Sequence, residues 1–176
     1  MINLSALLTL LSPIAFSAVF VSIYAAFYTT TKKSPPPFRH LAFIIVFTGY
    51  IFLILAVTLL FRSYAVYNIE LDPIASYRRA LNAPHHLAVI EIRNIILNIV
   101  MFIPLGFMLP MASKGLGKIY TAIPLAAIFT FAIETTQHFT SRGVFAVEDM
   151  LHNTFGAIVG FALYKIFYSL KTTKNL

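Results

Sequence analysis

Five long apolar segments follow one another along the chain, separated by shorter polar connections. Each segment is close to the ~20 residues that a helix needs to cross the hydrocarbon core of a bilayer. The pattern therefore predicts an all-α fold, a polytopic transmembrane bundle in a single domain covering residues 1–176. The predicted spans are residues 4–28, 41–61, 92–111, 120–139 and 150–168.

The composition supports a membrane protein. Hydrophobic residues make up 59% of the chain and charged residues only 11%, whereas soluble domains carry roughly 25% charged residues. Without cysteine the chain has no disulfide, thiol nucleophile or thiolate metal site. The first segment lacks the basic start of a signal peptide, and Lys32 and Lys33 follow it. We therefore interpret it as a retained span.

The distribution of charge predicts the orientation. If the connection that contains Lys32 and Lys33 is cytoplasmic, every lysine lies on the cytoplasmic side. All acidic residues then lie outside or in the outer half of a span. By the positive-inside rule the N-terminus is outside and the C-terminus is cytoplasmic. The net charge of +7 thus reflects membrane topology, and we predict no nucleic-acid partner.

The longest connection, residues 62–93, contains the segment "DPIASYRRALN". This segment is compatible with a short interfacial helix that turns Arg78 and Arg79 towards lipid headgroups and ends near Pro84. An ordinary ordered loop is the alternative.

The fourth span has one polar face. Glu134, Gln137 or His138, and Ser141 follow helical spacing. At ~1.5 Å per residue, Glu134 lies on the order of 10 Å deeper in the membrane than Ser141. An ionised carboxylate at such a depth costs at least ~2.5 kcal/mol. Glu134 must therefore be protonated, pair with a cation such as Arg142, or face a wet cavity. A buried salt bridge between helices is the structural alternative.

The fifth span repeats this arrangement. Asp149, Asn153, Gly156 and Gly160 lie on one stripe of the helix. Asp149, and still more its neighbour Glu148, also suits a helix N-terminus, where a carboxylate meets backbone N–H groups. The two glycines, four residues apart, permit close approach of another helix. That helix could belong to the same chain or to a second copy, so the oligomeric state stays open.

The third span adds Asn94 and Asn98, four residues apart, at the same predicted depth. Farther along, Pro104 removes a helical hydrogen bond and Gly106 loosens the turn, which favours a kink. Asparagines in membrane helices often serve only as links between helices. Three spans nevertheless offer polar side chains at one level, which predicts a pocket between them near the outer face.

Three stretches also resemble the VanZ-like family of small bacterial membrane proteins. They are "LTLLFRSYAVYNIELDPIASY", "NIILNIVMFIPLGFMLP" and "AIETTQHFTSRGVFAVEDMLHNTFGAIVGF". The resemblance covers roughly residues 56–163. The matching positions are Arg62, Pro73, Asn94, Asn98, Pro104, Gly106, Glu134, Gln137, Arg142, Asp149, Asn153, Gly156 and Gly160.

The chain departs from the family pattern at two places. Glu70 and Ile74 stand where the family has the Asn and Phe of an Asn-Leu-x-Pro-Phe segment. Ala146 stands where the family often has an aspartate. A mechanism that needs two carboxylates in this loop would therefore have to use Glu148 and Asp149.

The resemblance implies a bacterial plasma-membrane protein connected with resistance to teicoplanin, a lipoglycopeptide antibiotic. Our first hypothesis is an outer-leaflet site that recognises a lipid, a lipid-linked cell-wall precursor or the antibiotic. Arginine would suit phosphate because its planar guanidinium group can bond two oxygens at once. Arg62 and Arg142 could instead simply extend to the membrane interface. The candidate ligand-binding residues are Arg62, Asn94, Asn98, Gln137, Arg142 and Asn153.

A membrane enzyme acting on the same substrates is the second hypothesis. An apolar site favours a protonated Glu134, as a general acid requires, while Asp149 would act as base. His138 or His152 could replace either residue. No known metal-ligand spacing is matched, so we predict neither a metal nor a cofactor. A structural partner subunit, whose polar stripe only fixes helix packing, is the third hypothesis.

Overall fold

The structure, a computed structural model, describes the backbone of residues 4–60 and 69–173 and the side chains of residues 12–60 and 69–168. Arg62, a predicted ligand-binding residue, lies outside the described residues. Six α-helices make up most of this part of the chain. They are α1 (Leu4–Lys32), α2 (Phe38–Leu55), α3 (Ala75–Asn82), α4 (His85–Ala112), α5 (Ile119–Phe139) and α6 (Val147–Thr173).

Four short elements complete the described structure. A π-helical turn, Ala56–Leu60, follows α2 directly, and a 3₁₀ turn, Lys114–Gly117, links α4 to α5. The two-residue strands β1 (Ile69–Glu70) and β2 (Phe145–Ala146) precede α3 and α6. The chain packs into two compact units, residues 1–57 and 58–176, and each is described by itself.

The first unit is a pair of helices, α1 and α2. Phe16 of α1 contacts Phe52 of α2, with 5.4 Å between ring centroids. Farther along the pair, the Tyr24 hydroxyl and His40 Nδ1 are 3.3 Å apart. Between these contacts the two helices leave an apolar groove of about 410 Å³ that includes Phe20 and Phe47 in its lining.

The second unit is organised by the contact between α4 and α6. Gly156 and Gly160 of α6 lie against the backbone of α4 at Ile99 and Ile103, and Gly106 of α4 lies against the backbone of α6. A Cβ atom at any of the three glycines would fall far inside van der Waals distance of a carbonyl oxygen. Small residues thus let two helices touch backbone to backbone. The close approach that the sequence permits at Gly156 and Gly160 is made within one chain.

A short parallel pairing fixes the entry to α3 beside the start of α6. Ile69 pairs with Phe145, and Glu70 pairs with Ala146. The connection "DPIASYRRALN" contains α3, so of the two alternatives, a short helix or an ordered loop, the helix is present. Its arginines form ion pairs within the chain: Arg78 with Asp72 at 2.8 Å, and Arg79 with Glu70 and Glu91.

Helix α4 can be compared with the predicted third span at two places, its internal prolines and its first residue. The helix runs unbroken through Pro104 and Pro110. It also begins at His85, directly after Pro84 and seven residues before the predicted third span, so the helix extends into the connection that precedes that span. The other predicted spans lie within α1, α2 with its π turn, α5 and α6 to within a few residues.

Four helices in the described part of the chain are long and apolar enough to cross a bilayer: Ser12–Lys32, Phe38–Leu60, His85–Ala112 and Ile119–Phe139. Large apolar side chains on them point outwards, among them Phe27, Ile128 and Phe131. Such surfaces require an apolar solvent. The fold is therefore that of an all-α membrane protein. The predicted fifth span, in α6, is not one of these four, and polar residues fill its first two turns.

The α4–α6 contact predicts that Gly160→Ala destabilises the protein. In an unobstructed helix, alanine gains about 1 kcal/mol over glycine. Here the added methyl group meets the Ile103 carbonyl, and overpacking of this kind costs roughly 1–3 kcal/mol. Circular dichroism melting in detergent should show a lower Tm for Gly160→Ala. Gly117→Ala is the matched control, since nothing lies within 4 Å of a Cβ at that position. An unchanged or raised Tm for Gly160→Ala contradicts the close contact.

Candidate functional site

The polar face of α5 is turned into the second unit. Thr130, Glu134 and Gln137 follow one another at helical spacing, and all three are buried. Glu134 is only 2% exposed. The predicted face holds for Glu134 and Gln137, whereas His138 is half-buried and lies against the ring of Phe139. Ser141, predicted on the same face, lies beyond the end of α5 with a φ of 53°.

Each of the three buried residues is bonded to a different segment. Asn153 of α6 donates from Nδ2 to Thr130 Oγ1 at 2.7 Å. The backbone N–H of Ala146 donates to Glu134 Oε2 at 3.1 Å. Gln137 donates from Nε2 to the carbonyl of Thr58 at 2.9 Å. One face of α5 therefore holds the start of α6 and the π-helical turn in place.

The C-terminal end of α5 has a specific geometry that positions Arg142. Ser141 has a φ of 53°, and its N–H donates to the His138 carbonyl. The N–H of Arg142 donates to the Gln137 carbonyl five residues earlier. This pair of bonds is a Schellman motif, which ends a helix with one residue in the left-handed region. Serine occupies this residue where glycine is usual, and the chain then reverses direction.

Arg142 binds the π-helical turn. Its Nη1 donates to the carbonyls of Leu59 and Leu60, both at 3.1 Å. Together with Gln137, it supplies donors to the carbonyls of three consecutive residues of that turn. Sequence analysis assigned Arg142 to a headgroup or to the interface. The structure shows a third role, in which the guanidinium caps a helical turn.

A second polar group of residues lies between α3 and α6. Glu148 is 1% exposed, and its Oε2 accepts the backbone N–H of Ser76 at 2.7 Å. One turn along α6, His152 Nε2 and the Tyr77 hydroxyl are 3.0 Å apart. The rings of His152 and Tyr77 meet edge to face. We call Ser76, Tyr77, Glu148 and His152 the α3–α6 cluster.

Three side chains on α6 keep a buried polar atom that no hydrogen bond satisfies. Within the described part of the chain, Glu148 Oε1, His152 Nδ1 and Asn153 Oδ1 have no partner. Buried polar groups in folded proteins are nearly always paired, and an unpaired one costs ~1–3 kcal/mol. The start of α6 therefore has an unused capacity for hydrogen bonding that packing alone does not explain.

Of the other predicted site residues, the α4 asparagines lie apart from these two groups. Asn94 is exposed on α4 and Asn98 is half-buried, and no hydrogen bond joins either to the buried polar groups among the described residues. Asp149 is half-buried in the first turn of α6. The polar side chains were predicted to come together from the third, fourth and fifth spans. In the structure the buried polar groups belong to α5, α6 and α3. The ligand-binding role of the α4 asparagines stays a prediction.

Sequence reasoning missed several members of these groups. Glu148 was considered only as a helix cap and as a possible second carboxylate, although Glu148 and His152 stand four residues apart and so share a helix face. Thr130 precedes Glu134 by one turn in the same way. Ser76 and Tyr77 carried no signal, because their partners lie more than 70 residues along the chain.

The chemistry of the site is that of carboxylates and imidazole in an apolar surrounding. Glu134 and Glu148 are buried acceptors, and His152 offers a group that can carry or release a proton. No group of three His, Asp or Glu residues in the described part of the chain could hold a metal ion. The arrangement suits recognition of a polar group or general acid–base chemistry.

The fold and the buried polar groups define the class: an α-helical membrane protein with a polar centre where α3, α5 and α6 meet. The sequence profile of the VanZ/LLP1 family matches residues 40–168. The chain belongs to the VanZ/LLP1 family, as its three resembling stretches predicted. Comparisons with curated proteins and with solved structures give no match.

The contact between Arg142 and the π-helical turn predicts a loss of stability for Arg142→Ala. Hydrogen bonds that involve a charged group contribute about 1.5–3 kcal/mol, and two carbonyls lose their donor in this variant. A clearly lower Tm in detergent is expected. Arg93→Ala serves as the control because Arg93 is exposed on α4, and surface changes usually stay within about 0.5 kcal/mol. Equal melting of the two variants would mean that the cap contributes little.

Proposed function

We propose that this VanZ/LLP1 protein recognises the polar group of an amphiphile at the outer surface of the bacterial plasma membrane. The amphiphile is a membrane lipid, a lipid-linked cell-wall precursor or a lipoglycopeptide antibiotic. Through this recognition the protein contributes to resistance against glycopeptides of the teicoplanin type or to maintenance of the envelope. Family membership supports the link to resistance, and the buried polar centre supports recognition of a ligand.

The observation that carries the proposal is the set of unpaired buried atoms at the start of α6. A purely structural polar stripe is expected to be fully paired, since each unpaired atom weakens the fold. Glu134 and Gln137 fit that expectation, because both are bonded to backbone groups. Glu148, His152 and Asn153 do not, so they are the first candidates to contact a ligand.

The topology in the membrane is part of the proposal. We infer five spans in one functional domain, the fifth formed by α6, with the N-terminus outside and the C-terminus in the cytoplasm. All lysines then lie at the cytoplasmic side. The first turns of α6 lie in the outer leaflet, where a headgroup can reach them, while the apolar faces of the helices contact its acyl chains.

An acid–base enzyme acting on the same amphiphiles is the second candidate. Glu134, Asp149, His138 and His152 remain its proposed catalytic residues. The observation in its favour is that an imidazole and a carboxylate, His152 and Glu148, lie buried one turn apart. Lipid mass spectrometry on cells that express the wild type or Glu134→Gln separates the two candidates. A lipid species that appears or disappears with Glu134 indicates turnover, and an unchanged lipid profile favours binding.

We predict that Glu134→Gln abolishes function in a folded protein. The amide oxygen can still accept the N–H of Ala146, so the contact with α6 survives. The negative charge and the exchangeable proton are lost, and either recognition or catalysis depends on one of them. Expressed in a susceptible bacterium, the wild type should raise the minimal inhibitory concentration of teicoplanin several-fold, and Glu134→Gln should not.

Glu91→Gln is the matched control for this experiment. Glu91 pairs with Arg79 at the surface, and exposed ion pairs contribute only about 0–1 kcal/mol. It should therefore protect cells as well as the wild type at equal amounts in the membrane. Full protection by Glu134→Gln removes Glu134 from the site. A wild type that gives no protection against glycopeptides removes the proposed role in resistance.

A further inference from the structure

The α3–α6 cluster holds a buried carboxylate between two helix N-termini. Glu148 lies in the first turn of α6, and its Oε2 accepts an N–H from the first turn of α3. This hydrogen bond is 2.7 Å long. The positive ends of two helix dipoles point towards the carboxylate. Glu148 is held there although it is 1% exposed.

The second oxygen of this carboxylate, Oε1, is buried and has no partner in the described part of the chain. A carboxylate accepts hydrogen bonds through both of its oxygens. The missing partner must therefore be an N–H or O–H donor. Nearby lysine or arginine does not provide it: among the described residues Glu148 forms no ion pair, and the arginines of α3 are paired with Asp72, Glu70 and Glu91.

The same reasoning argues against phosphate as the group that the cluster binds. A phosphate is itself an acceptor and would be repelled by Glu148. Arg142, the described arginine that sequence analysis assigned to phosphate, donates to the carbonyls of Leu59 and Leu60. Arg79 donates from Nη2 to Ser76 Oγ at 2.9 Å, but no lysine or arginine in the described part of the chain pairs with Glu148. The unpaired oxygen therefore selects for a donor.

Resting on the proposed function, we propose that the amphiphile is recognised through N–H or O–H groups of its headgroup, which donate to Glu148 in the α3–α6 cluster. Primary ammonium groups and sugar or glycerol hydroxyls have this chemistry. A quaternary ammonium does not, because it carries charge without a hydrogen to donate. Phosphate is then only the linker between the recognised group and the acyl chains.

Tyr77 is the member of the cluster that reaches the surface. It is 45% exposed, and its hydroxyl is bonded to His152. We expect a headgroup to reach His152 and Glu148 past this side chain. His152 Nδ1, also unpaired, then lies one helical turn from Glu148 and can contact a second atom of the headgroup.

The test is a competition between phospholipids with identical acyl chains. The purified full-length protein is mixed with equal amounts of phosphatidylethanolamine, phosphatidylglycerol and phosphatidylcholine, and retained lipid is measured by native mass spectrometry. The first two lipids carry ammonium and hydroxyl donors, respectively, and the third carries neither. We expect the protein to retain phosphatidylethanolamine, phosphatidylglycerol or both several-fold more than phosphatidylcholine. The lipid that is retained shows whether the recognised donor is an ammonium group or a hydroxyl group.

Glu148→Gln should remove this preference. The amide oxygen of the glutamine can still accept the N–H of Ser76. Its NH₂ group, however, takes the place of the unpaired acceptor Oε1, so it would face the donor of the headgroup with another donor. Glu91→Gln, at the surface, should keep the preference of the wild type. If Glu148→Gln does not fold, the wild-type measurement decides alone.

Equal retention of the three lipids by the wild type, or retention of none, overturns the inference. A preference that survives in folded Glu148→Gln also overturns it, because another residue then makes the selection. The proposed function is judged separately by teicoplanin susceptibility, which does not depend on the chemistry of the headgroup. The two ideas can therefore fail independently.

Discussion

Backbone contact between α4 and α6 is the constraint on which the second unit depends. Gly106, Gly156 and Gly160 leave no room for a side chain between the two helices. Apolar burial does not drive helices together in lipid as it does in water, so close packing has to contribute much of the stability. Once this pair is fixed, the first turns of α6 stand at a defined place, and so do the polar groups on them.

The polar residues of α5 add a second level of order to that pair. Thr130 and Glu134 bond to α6 and to the strand before it, while Gln137 bonds to the π-helical turn. Each bond joins segments that are distant in sequence. In an apolar solvent such bonds are difficult to replace, because no water competes for the freed groups. This explains why the polar residues of an otherwise apolar chain are concentrated in so short a stretch.

Local patterns were enough to predict the helices and the packing glycines, because both depend on residues a few positions apart. The inward face of α5 was predictable for the same reason. The partners were not. Arg142 resembles a headgroup ligand in sequence, and only the Schellman turn at Ser141, together with the position of the π-helical turn, directs it to the carbonyls of Leu59 and Leu60. The start of α4 at His85 also escaped prediction, since its first two turns lie in a connection that hydropathy alone treats as a loop.

The comparison of Glu134 with Glu148 shows why burial alone does not identify a ligand-binding carboxylate. Both side chains are almost fully buried, and each accepts one backbone N–H near the start of α6. Glu148 differs because one oxygen is left without a donor in the described part of the chain, at a place where two helix N-termini point towards it. A buried acceptor that the fold holds but does not fully pair is suited to bind a partner from outside. By this argument the α3–α6 cluster is the proposed contact with the headgroup, while α5 holds the helices together and contributes Glu134 as a further proposed site residue.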